Sequence, residues 1–198
     1  MKSPAVFLDR DGTLIEEVGY LDRLERLQLF PYTTEALRIL ARAGFRLVVI
    51  TNQAGVARGY FDEGFVRRAN QHLVDRLADA GVTVDGVYFC PHHPDGTVER
   101  YRTACECRKP NPGMLRAAER DLGIDLPRSW VVGDRWLDVA LAAGVGARGV
   151  LVRTGYGETE AARPVDGVNP TAIAAHLLEA ASLIIRATRN EKLAPSAS

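Results

Sequence analysis

Short apolar runs alternate with helical patterns along most of the chain, and this alternation restricts the fold more than any other feature. The runs are rich in β-branched residues and cover residues 4–8, 46–50, 84–89, 129–133 and 149–152. Runs of this length predict buried strands. Strands that alternate with helices are typical of a parallel sheet, because parallel neighbours need a crossover connection. We therefore predict an α/β fold of three layers, Rossmann-like, with a central parallel sheet.

Capping residues predict where several of the helices begin and end. Thr33 or Thr34 can cap the first helix, and Gly44 is placed to end it in the left-handed conformation. A second helix is predicted over residues 62–80. These helices supply crossovers of the kind that a parallel sheet requires.

Similar signals define the second half of the chain. Asn111 and Pro112 predict the cap and the first residue of a helix that Gly123 ends. The last helical pattern covers residues 171–185. It is followed by a polar, small-residue segment, residues 187–198, which we predict to be disordered because it cannot bury enough apolar surface.

Composition limits the number of domains and the kinds of partner. The chain has 198 residues and 46% hydrophobic composition, enough for one core, so we expect a single domain over residues 1–186. The 25 basic and 25 acidic side chains cancel, which leaves no strong field to attract nucleic acid or a charged membrane surface. No run approaches the roughly 20 apolar residues that span a bilayer. We expect a cytoplasmic monomer that binds neither nucleic acid nor a membrane.

Polar side chains follow three of the predicted strands. Asp9 and Asp11 come directly after the first strand, Thr51 and Asn52 after the second, and Asp134 after the run 129–133. In an open parallel sheet, ligands bind outside the carboxyl ends of the strands. The convergence of these side chains on one edge predicts a site for phosphoryl transfer.

The same residue types suit the steps of that reaction. Phosphate monoesters hydrolyse very slowly, so a carboxylate nucleophile such as Asp9 needs strong electrostatic help. Asp9 and Asp134 can offer oxygen ligands to Mg²⁺, the usual cation beside a phosphate. Asp11 can protonate the leaving oxygen and then deprotonate a water molecule. Lys109 can neutralise the phosphoryl group, and Thr51 can donate a hydrogen bond to it.

Each of these residues also has a purely structural interpretation. The Asp-x-Asp-Gly pattern favours a turn, Thr51 can cap a helix, and Lys109 alone would be a solvated charge. Asp138 can act as an indirect partner of the metal or favour a helix N-terminus through the dipole, and the sequence leaves that choice open. The order of the motifs and their placement at strand ends favour the catalytic interpretation.

All three cysteines lie within residues 90–107, which indicates a local metal site. The candidate zinc ligands are Cys90, Cys105, Cys107 and one of His92 and His93. Three thiolates and one imidazole form a closed tetrahedral site, which is structural because no position remains for water. The alternative is that Cys90 is only a buried apolar residue and that the other two are bystanders or a redox pair. The close Cys-x-Cys spacing disfavours a strain-free disulfide. We predict a zinc-binding loop that places Arg108 and Lys109 beside the phosphate.

Several segments together resemble the haloacid dehalogenase-like phosphatases, in particular the histidinol-phosphatase-like subfamily and its heptose bisphosphate phosphatases. The matching segments are 7–13, 51–59, 90–94, 105–114 and the Gly-Asp-x-x-x-Asp pattern at 133–138. The resemblance covers residues 6–157. It implies a fold without a large cap domain, in which loops, including the zinc-binding insert, supply specificity.

The resemblance also implies residue roles. Asp9 is the nucleophile and Asp11 the proton donor, and Thr51 and Lys109 stabilise the phosphoryl group. The implied Mg²⁺ ligands are Asp9, Asp11 through its carbonyl, and Asp134. The implied zinc ligands are Cys90, His92, Cys105 and Cys107. The implied substrate contacts are Arg10, Glu17, Val18, Gly19, Tyr20, Asn52, Gln53, Ala54, Arg108 and Arg135. The implied partner is a small phosphorylated sugar, a heptose 1,7-bisphosphate that loses its 7-phosphate on the way to nucleotide-activated heptose.

Two positions depart from the pattern of that family. Arg135 stands where the family commonly has Lys, and a guanidinium presents a planar fork where an ammonium presents a point charge. Ala54 stands where a Ser is frequent, which removes one hydroxyl near the phosphate. We expect the chemistry to be preserved.

Three other functions compete with this one. Histidinol-phosphate phosphatases share the motifs, but Arg108 beside Lys109 favours a second anion over a cationic side chain on the substrate. A polynucleotide phosphatase is less well supported, because the chain has no basic stripe with interleaved aromatic residues. A non-catalytic protein that binds a phosphorylated ligand belongs to a different class, and the intact Asp9 and Asp11 argue against it.

Overall fold

Six parallel strands form the central sheet of this protein. The computed structural model describes residues 2–193, without the side chains of residues 191–193. The strands are β1 (Ala5–Leu8), β2 (Arg46–Asn52), β3 (Gly86–Cys90), β4 (Trp130–Gly133), β5 (Arg148–Val152) and β6 (Ala172–Ala174). Their order across the sheet is β3-β2-β1-β4-β5-β6, and every neighbouring pair is parallel. The predicted three-layer α/β fold is confirmed.

Helices connect the strands and cover both faces of the sheet. The helices are α1 (Thr33–Arg42), α2 (Ala54–Ala57), α3 (Glu63–Asp79), α4 (Gly113–Leu122), α5 (Trp136–Ala143), α6 (Gly157–Ala161) and α7 (Leu177–Leu193). Short 3₁₀ turns occupy Leu24–Arg26, Glu99–Tyr101 and Leu126–Arg128. Among the described residues no helix is long and apolar enough to cross a membrane.

The side chains of β1 alternate between two hydrophobic clusters. Val6 and Leu8 belong to the cluster that includes residues of α1, α3 and α7, whereas Ala5 and Phe7 belong to the cluster that includes residues of α4 and α5. All four side chains are fully buried. Successive residues of a strand face opposite sides of the sheet, so a strand covered on both faces must be apolar throughout.

The strand order reverses at β1, which places the end of this strand at the switch point of the sheet. Leu8 is in register with Val49 of β2 on one side and with Val132 of β4 on the other. Such a switch point opens a crevice at the carboxyl ends of the strands. The connection between β1 and α1 is short: it consists of residues 9–32 and contains a single 3₁₀ turn. No large cap domain is therefore inserted there.

The predicted caps of two helices are wrong by a residue or more. Helix α1 has Tyr32 at its N-cap, and the Thr33 hydroxyl donates a hydrogen bond of 2.8 Å to the carbonyl of Leu14 instead of capping the helix. Helix α4 has Pro112 at its N-cap, and the Asn111 amide donates instead to the carbonyl of Cys105 at 2.8 Å. Tertiary partners outweigh local capping at both positions. The left-handed conformation predicted for Gly44 is confirmed, and Gly123 ends α4 as predicted, as its C-cap residue.

The end of the chain differs most from the sequence-based expectation. The pattern over residues 171–185 divides into strand β6 and helix α7, because the segment Ala172–Ala174 pairs with β5. Helix α7 continues to Leu193, with Ala187 packed against the core and the Thr188 hydroxyl bonded to the carbonyl of Ile184 at 2.8 Å. Its helical residues therefore extend into the segment that was predicted to be disordered. Residues 194–198 of that predicted tail lie outside the described residues.

Candidate active site

Asp9 and Lys109 meet at the end of the central strand. Asp9 follows β1, and its Oδ1 lies 2.7 Å from Nζ of Lys109, which comes from the segment before α4. Lys109 Nζ also lies 2.7 Å from Asp138 Oδ1 and 3.4 Å from the carbonyl oxygen of Ile50. The three charged side chains are buried. The described residues provide no hydrogen-bond donor to Asp9 Oδ2, so this oxygen is free to face a ligand.

Two glycines leave the space in which the carboxylate of Asp134 lies, close to Asp9. Oδ2 of Asp134 accepts a hydrogen bond of 2.8 Å from the backbone amide of Tyr156. A Cβ atom at Gly12 or at Gly155 would overlap that same oxygen, and both glycines have positive φ angles, +80° and +57°. Only glycine permits this approach together with this backbone conformation. Asp134 is thereby held at the turn that follows β1.

Burial makes Asp9 and Asp134 unusually basic carboxylates. Burial, with a smaller contribution from Asp138, outweighs the charge of Lys109 and raises the pKa of Asp9 to about 7. Burial and the neighbouring Asp9 raise the pKa of Asp134 to about 8. Two carboxylates that are desolvated and close together are stabilised in their charged form by a cation. The donor set therefore fits a hard divalent ion: oxygens of Asp9, Asp134 and Asp138 all lie within 4.8 Å of one another.

Asp11 is held by hydrogen bonds from three side chains. Arg10 donates to both of its carboxylate oxygens at 3.1 Å, Gln53 Nε2 donates at 3.0 Å and the Thr51 hydroxyl at 3.3 Å. Arg10 is itself buried and donates at 2.7 Å to Asn70 on α3. Arg10 and Gln53, which are predicted to contact substrate, also orient Asp11 through these hydrogen bonds. Thr51 lies beside Asp11, as the strand-end placement predicts.

Asn52 fixes the main chain of Lys109. Its side-chain amide donates to the carbonyl of Lys109 at 3.2 Å, and its carbonyl accepts from the Lys109 amide at 3.1 Å. This paired interaction ties the end of β2 to the segment before α4. Asp138, whose role the sequence left open, lies in the first turn of α5 and pairs with Lys109. A Cβ at Gly133 would overlap Asp138, so glycine is required there as well.

Three cysteines and one histidine form a second cluster at the end of β3. The Sγ atoms of Cys90, Cys105 and Cys107 lie 3.0–3.4 Å from one another. His92 Nδ1 lies 3.7 Å from Cys90 Sγ and 3.4 Å from Cys107 Sγ. A tetrahedral zinc site with Zn–S bonds of about 2.3 Å has edges of roughly 3.5–3.8 Å, whereas a disulfide bond is about 2.0 Å long. The cysteines are free, and the chemistry and geometry of the four donors fit a structural zinc ion.

A cavity of about 300 Å³ lies above these strand ends. Most of the predicted substrate contacts line it: Arg10, Glu17, Gly19, Tyr20, Asn52, Gln53, Ala54, Arg108 and Arg135. Val18 does not belong to the lining; its side chain packs against the core and its carbonyl accepts from Arg26 at 3.0 Å. Arg135 stacks on Tyr156, with its guanidinium carbon 4.0 Å from the ring centre. Arg108 donates to the carbonyl of His92 at 3.2 Å, which links it to the cysteine cluster.

Six lining residues are not among the predicted site residues: Leu21, Gly55, Arg58, His93, Leu137 and Tyr156. Arg58 lies within the segment 51–59 that carries the family resemblance, and the sequence indicates His93 only as an alternative metal ligand. Nothing in the local sequence indicates Tyr156, because it reaches the cavity through the fold of residues 153–157. Burial and the charges of Arg108 and Arg58 lower the pKa of His93. The lining thus contains several cationic or neutral donors close to the buried carboxylates.

Comparisons with known proteins agree with this geometry. Residues 5–136 match the family model described as polynucleotide kinase 3 phosphatase, and residues 106–180 match a HAD-hydrolase-like model. The chain is 49% identical over 154 residues to a D-glycero-β-D-manno-heptose-1,7-bisphosphate 7-phosphatase of Yersinia pestis, covering 77% of this chain and 81% of that protein. It is 47% identical over the same length to the protein of that name from Escherichia coli strain K12, covering 77% and 80%.

A solved structure with a similar fold supports the same assignment. It is the D,D-heptose 1,7-bisphosphate phosphatase of B. bronchiseptica complexed with magnesium and phosphate, 32% identical, with a TM-score of 0.82, covering 94% of this chain and 99% of that one. Fold and site together define a hydrolase of the haloacid dehalogenase class that acts on phosphoric monoesters. Within that class, the chain belongs to the D-glycero-β-D-manno-heptose-1,7-bisphosphate 7-phosphatase family.

Proposed function

We propose that this chain removes the 7-phosphate of D-glycero-D-manno-heptose 1,7-bisphosphate through an aspartyl-phosphate intermediate on Asp9. The named relatives act on this substrate, and each matches 154 residues, 77% of this chain. The observation that carries the proposal is the free Oδ2 of Asp9, held beside Lys109 and Asp134 under a cavity that Arg108 also lines. A reactive carboxylate next to an anion-binding wall suits a substrate that has two phosphates.

Asp9 and Asp11 divide the chemistry between them. Oδ2 of Asp9 attacks phosphorus, the bond from phosphorus to the sugar oxygen breaks, and Asp11 gives its proton to the departing oxygen. Asp11 then takes a proton from the water molecule that attacks the aspartyl-phosphate, which releases inorganic phosphate and restores Asp9. Hydrogen bonds from Arg10, Gln53 and Thr51 keep Asp11 in position for both proton transfers.

Lys109 stabilises the charge that the phosphoryl group brings into the site. Its ammonium group is fixed by Asp138 and by the main-chain contacts with Asn52, so it needs little rearrangement during the reaction. Magnesium, which would be held by Asp9, Asp134 and the carbonyl of Asp11, supplies charge neutralisation between carboxylate and phosphate when it is bound. Zinc, held by Cys90, His92, Cys105 and Cys107, would keep the loop and Arg108 in place.

Two of the three competing functions, hydrolysis of histidinol phosphate and ligand binding without turnover, suit the site less well. Histidinol phosphate brings a cationic side chain, which the guanidinium groups of Arg108 and Arg135 at the cavity disfavour. A protein that only binds a phosphorylated ligand would have no use for the arrangement of Asp9 and Asp11. We propose further that the chain acts in the cytoplasm as a monomer.

The test is Mg²⁺-dependent phosphate release from a panel of substrates. The panel contains the α and β anomers of the heptose bisphosphate and histidinol phosphate, ranked by kcat/KM. We expect a heptose bisphosphate to be the best substrate and the Asp9→Asn variant to be inactive while it still binds substrate. Preference for histidinol phosphate would reassign the substrate, robust turnover by Asp9→Asn would refute the nucleophile, and binding without turnover by the unmodified chain would support the non-catalytic alternative.

A further inference from the structure

The wall of the cavity between α2 and the cysteine cluster contains two donors that the proposed chemistry does not use. Arg58 is the C-cap residue of α2, and His93 follows the candidate zinc ligand His92. Both side chains line the cavity. Neither contacts the carboxylates of Asp9 or Asp11 by a hydrogen bond. Their position on the wall therefore suits contact with a ligand group other than the reacting phosphoryl group.

The guanidinium of Arg58 has no protein acceptor. Within residues 2–193 its side chain makes no hydrogen bond or ion pair, and its Nε atom is buried without a partner. Some arginines pair with a carboxylate, such as Arg26 with Asp22 at 2.8 Å and Arg67 with Glu63 at 2.9 Å, whereas the partly buried Arg58 at the cavity does not. Buried donors are normally satisfied, so an unpaired guanidinium at a cavity indicates an acceptor from outside the protein.

Hydrogen bonding to the loop orients the imidazole of His93. Its Nδ1 lies 3.1 Å from the backbone N–H of Asp95 and accepts a hydrogen bond from it. A nitrogen that accepts carries no proton, so the proton of the ring is on Nε2. The backbone amide of His93 donates at 3.1 Å to the carbonyl of Tyr101, which holds the residue in the loop. The imidazole therefore offers the cavity an N–H group.

Backbone contacts hold these two residues in one wall. The amide of Val98 donates at 2.9 Å to the carbonyl of Ala57, next to Arg58. A Cβ at Gly96 would lie 2.8 Å from the Ala57 carbonyl oxygen, so the loop approaches α2 as closely as glycine allows. The loop and α2 are thereby joined at the position of both donors. A guanidinium fork beside an imidazole N–H group is suited to the tetrahedral oxygens of a phosphate.

We propose that Arg58 and the Nε2–H group of His93 bind the phosphate of the substrate that is not hydrolysed, together with Arg108. This assignment rests on the proposed function, because it requires a substrate with two phosphates. In this assignment Arg58 and His93 determine which substrate is bound, and they take no part in the chemical step. Charge-assisted hydrogen bonds to a phosphate contribute to binding of the ground state and of the transition state alike, so their loss raises KM.

The experiment compares two substrates that differ in a single phosphate: heptose 1,7-bisphosphate and heptose 7-phosphate. For Arg58→Met we expect kcat/KM on the bisphosphate to fall by about 10- to 100-fold, mainly through KM. On the monophosphate the same variant should change kcat/KM by less than about threefold. His93→Leu should show a smaller loss of the same kind, and His93→Gln, whose side chain keeps an N–H donor, should recover part of it.

Arg102→Met is the matched control for Arg58→Met. Arg102 is an exposed arginine in the loop that contains His93, and it does not line the cavity. The control should leave both substrates unaffected, and thermal melts establish that all variants are folded. Equal losses on both substrates, or no loss on the bisphosphate, would overturn the assignment while leaving the proposed function intact. Failure of the unmodified chain to hydrolyse either heptose phosphate would instead remove the proposed function and this assignment with it.

Discussion

The ammonium nitrogen of Lys109 lies 2.7 Å from Oδ1 of Asp138, and both side chains are buried. Burial alone would lower the pKa of Lys109, but the charges of Asp138 and Asp9 outweigh it and raise the pKa above its usual range. Lys109 therefore stays charged at any pH at which the protein functions. In the proposed mechanism, Asp138 keeps this charge in place while the Asp9 carboxylate is phosphorylated.

Replacement of Asp138 should show both a stability effect and a catalytic effect. Asp138→Asn leaves a buried ammonium with one carboxylate partner, so we expect the free energy of unfolding to fall by about 3 kcal/mol. We also expect kcat to fall, because Lys109 is less well fixed. Urea denaturation and phosphate release measure the two effects. As a control, Asp22→Asn removes an exposed ion pair with Arg26 and should leave the urea midpoint unchanged.

Glycine at position 12 should be required for the position of Asp134. Gly12→Ala forces a side chain into a backbone with φ of +80° and places its Cβ on the Asp134 carboxylate. Gly44→Ala imposes a similar backbone cost at φ of +90°, but its Cβ meets no atom within 4 Å. Both variants should lose roughly 1–2 kcal/mol of stability from the strained backbone.

Only Gly12→Ala should also lose activity and Mg²⁺ affinity, which enzyme assays and calorimetric titration with Mg²⁺ would establish. Equal activity of the two variants would mean that Asp134 does not depend on the close approach of Gly12. Comparison of Gly12→Ala with Gly44→Ala therefore separates the effect of backbone strain from the effect of displacing the candidate metal ligand Asp134.

The raised pKa values of Asp9 and Asp134 predict how stability depends on pH. Without Mg²⁺ the folded chain holds protons on these groups up to about pH 7 and 8, whereas an unfolded Asp releases its proton near 3.8. Between these limits the folded state binds more protons than the unfolded state, so the free energy of unfolding falls as pH rises. The urea midpoint in Mg²⁺-free buffer should therefore decrease from pH 5 to pH 8.

Added Mg²⁺ should stabilise the protein more at pH 8 than at pH 5.5, because it binds the deprotonated carboxylates. Tryptophan fluorescence during urea titration measures the midpoint. In the Asp134→Asn variant the dependence on pH should be flatter. A stabilisation by Mg²⁺ of equal size at both pH values would contradict the prediction.

Removal of zinc should weaken substrate binding more than Mg²⁺ binding. Cys105 and Cys107 lie just before Arg108 and Lys109, so release of the loop frees Arg108 while Asp9 and Asp134 remain on the sheet. We expect chelation to raise KM strongly and to change the Mg²⁺ dissociation constant little. Measurements of metal content, kinetics and Mg²⁺ titration on the chelated protein provide the test. Unchanged kinetics in protein shown to lack zinc would count against this role of the loop.

The sheet and the strand-end residues were predictable because both depend on short segments. The apolar run that ends at Leu8 defines β1, and Asp9 must then lie at the edge of a parallel sheet. Strand β6 was not predictable in this way. It has three residues, and only its pairing with β5 distinguishes it from the helical pattern that continues into α7.

The contacts between distant segments could not be predicted from the sequence. Lys109 lies one hundred residues beyond Asp9, and only the fold brings the two together. Arg10 shows the same limit, because the sequence does not reveal that its buried guanidinium donates to both Asn70 and Asp11. The role of Asp138 likewise required the position of α5 relative to Lys109. Sequence patterns indicate which residues reach the site but not which of them pair with each other.

The order of the strands also affects the synthesis of the chain. Strand β1 pairs with β2 on one side and with β4 on the other, so one edge of β1 has no partner until residues 130–133 have left the ribosome. Asp9 is therefore synthesised early, whereas its neighbours Lys109 and Asp134 are synthesised late. A nascent chain has an open strand edge that can pair with other chains during this interval, and chaperones would be most useful then. Phosphatase activity is correspondingly a late marker of complete folding.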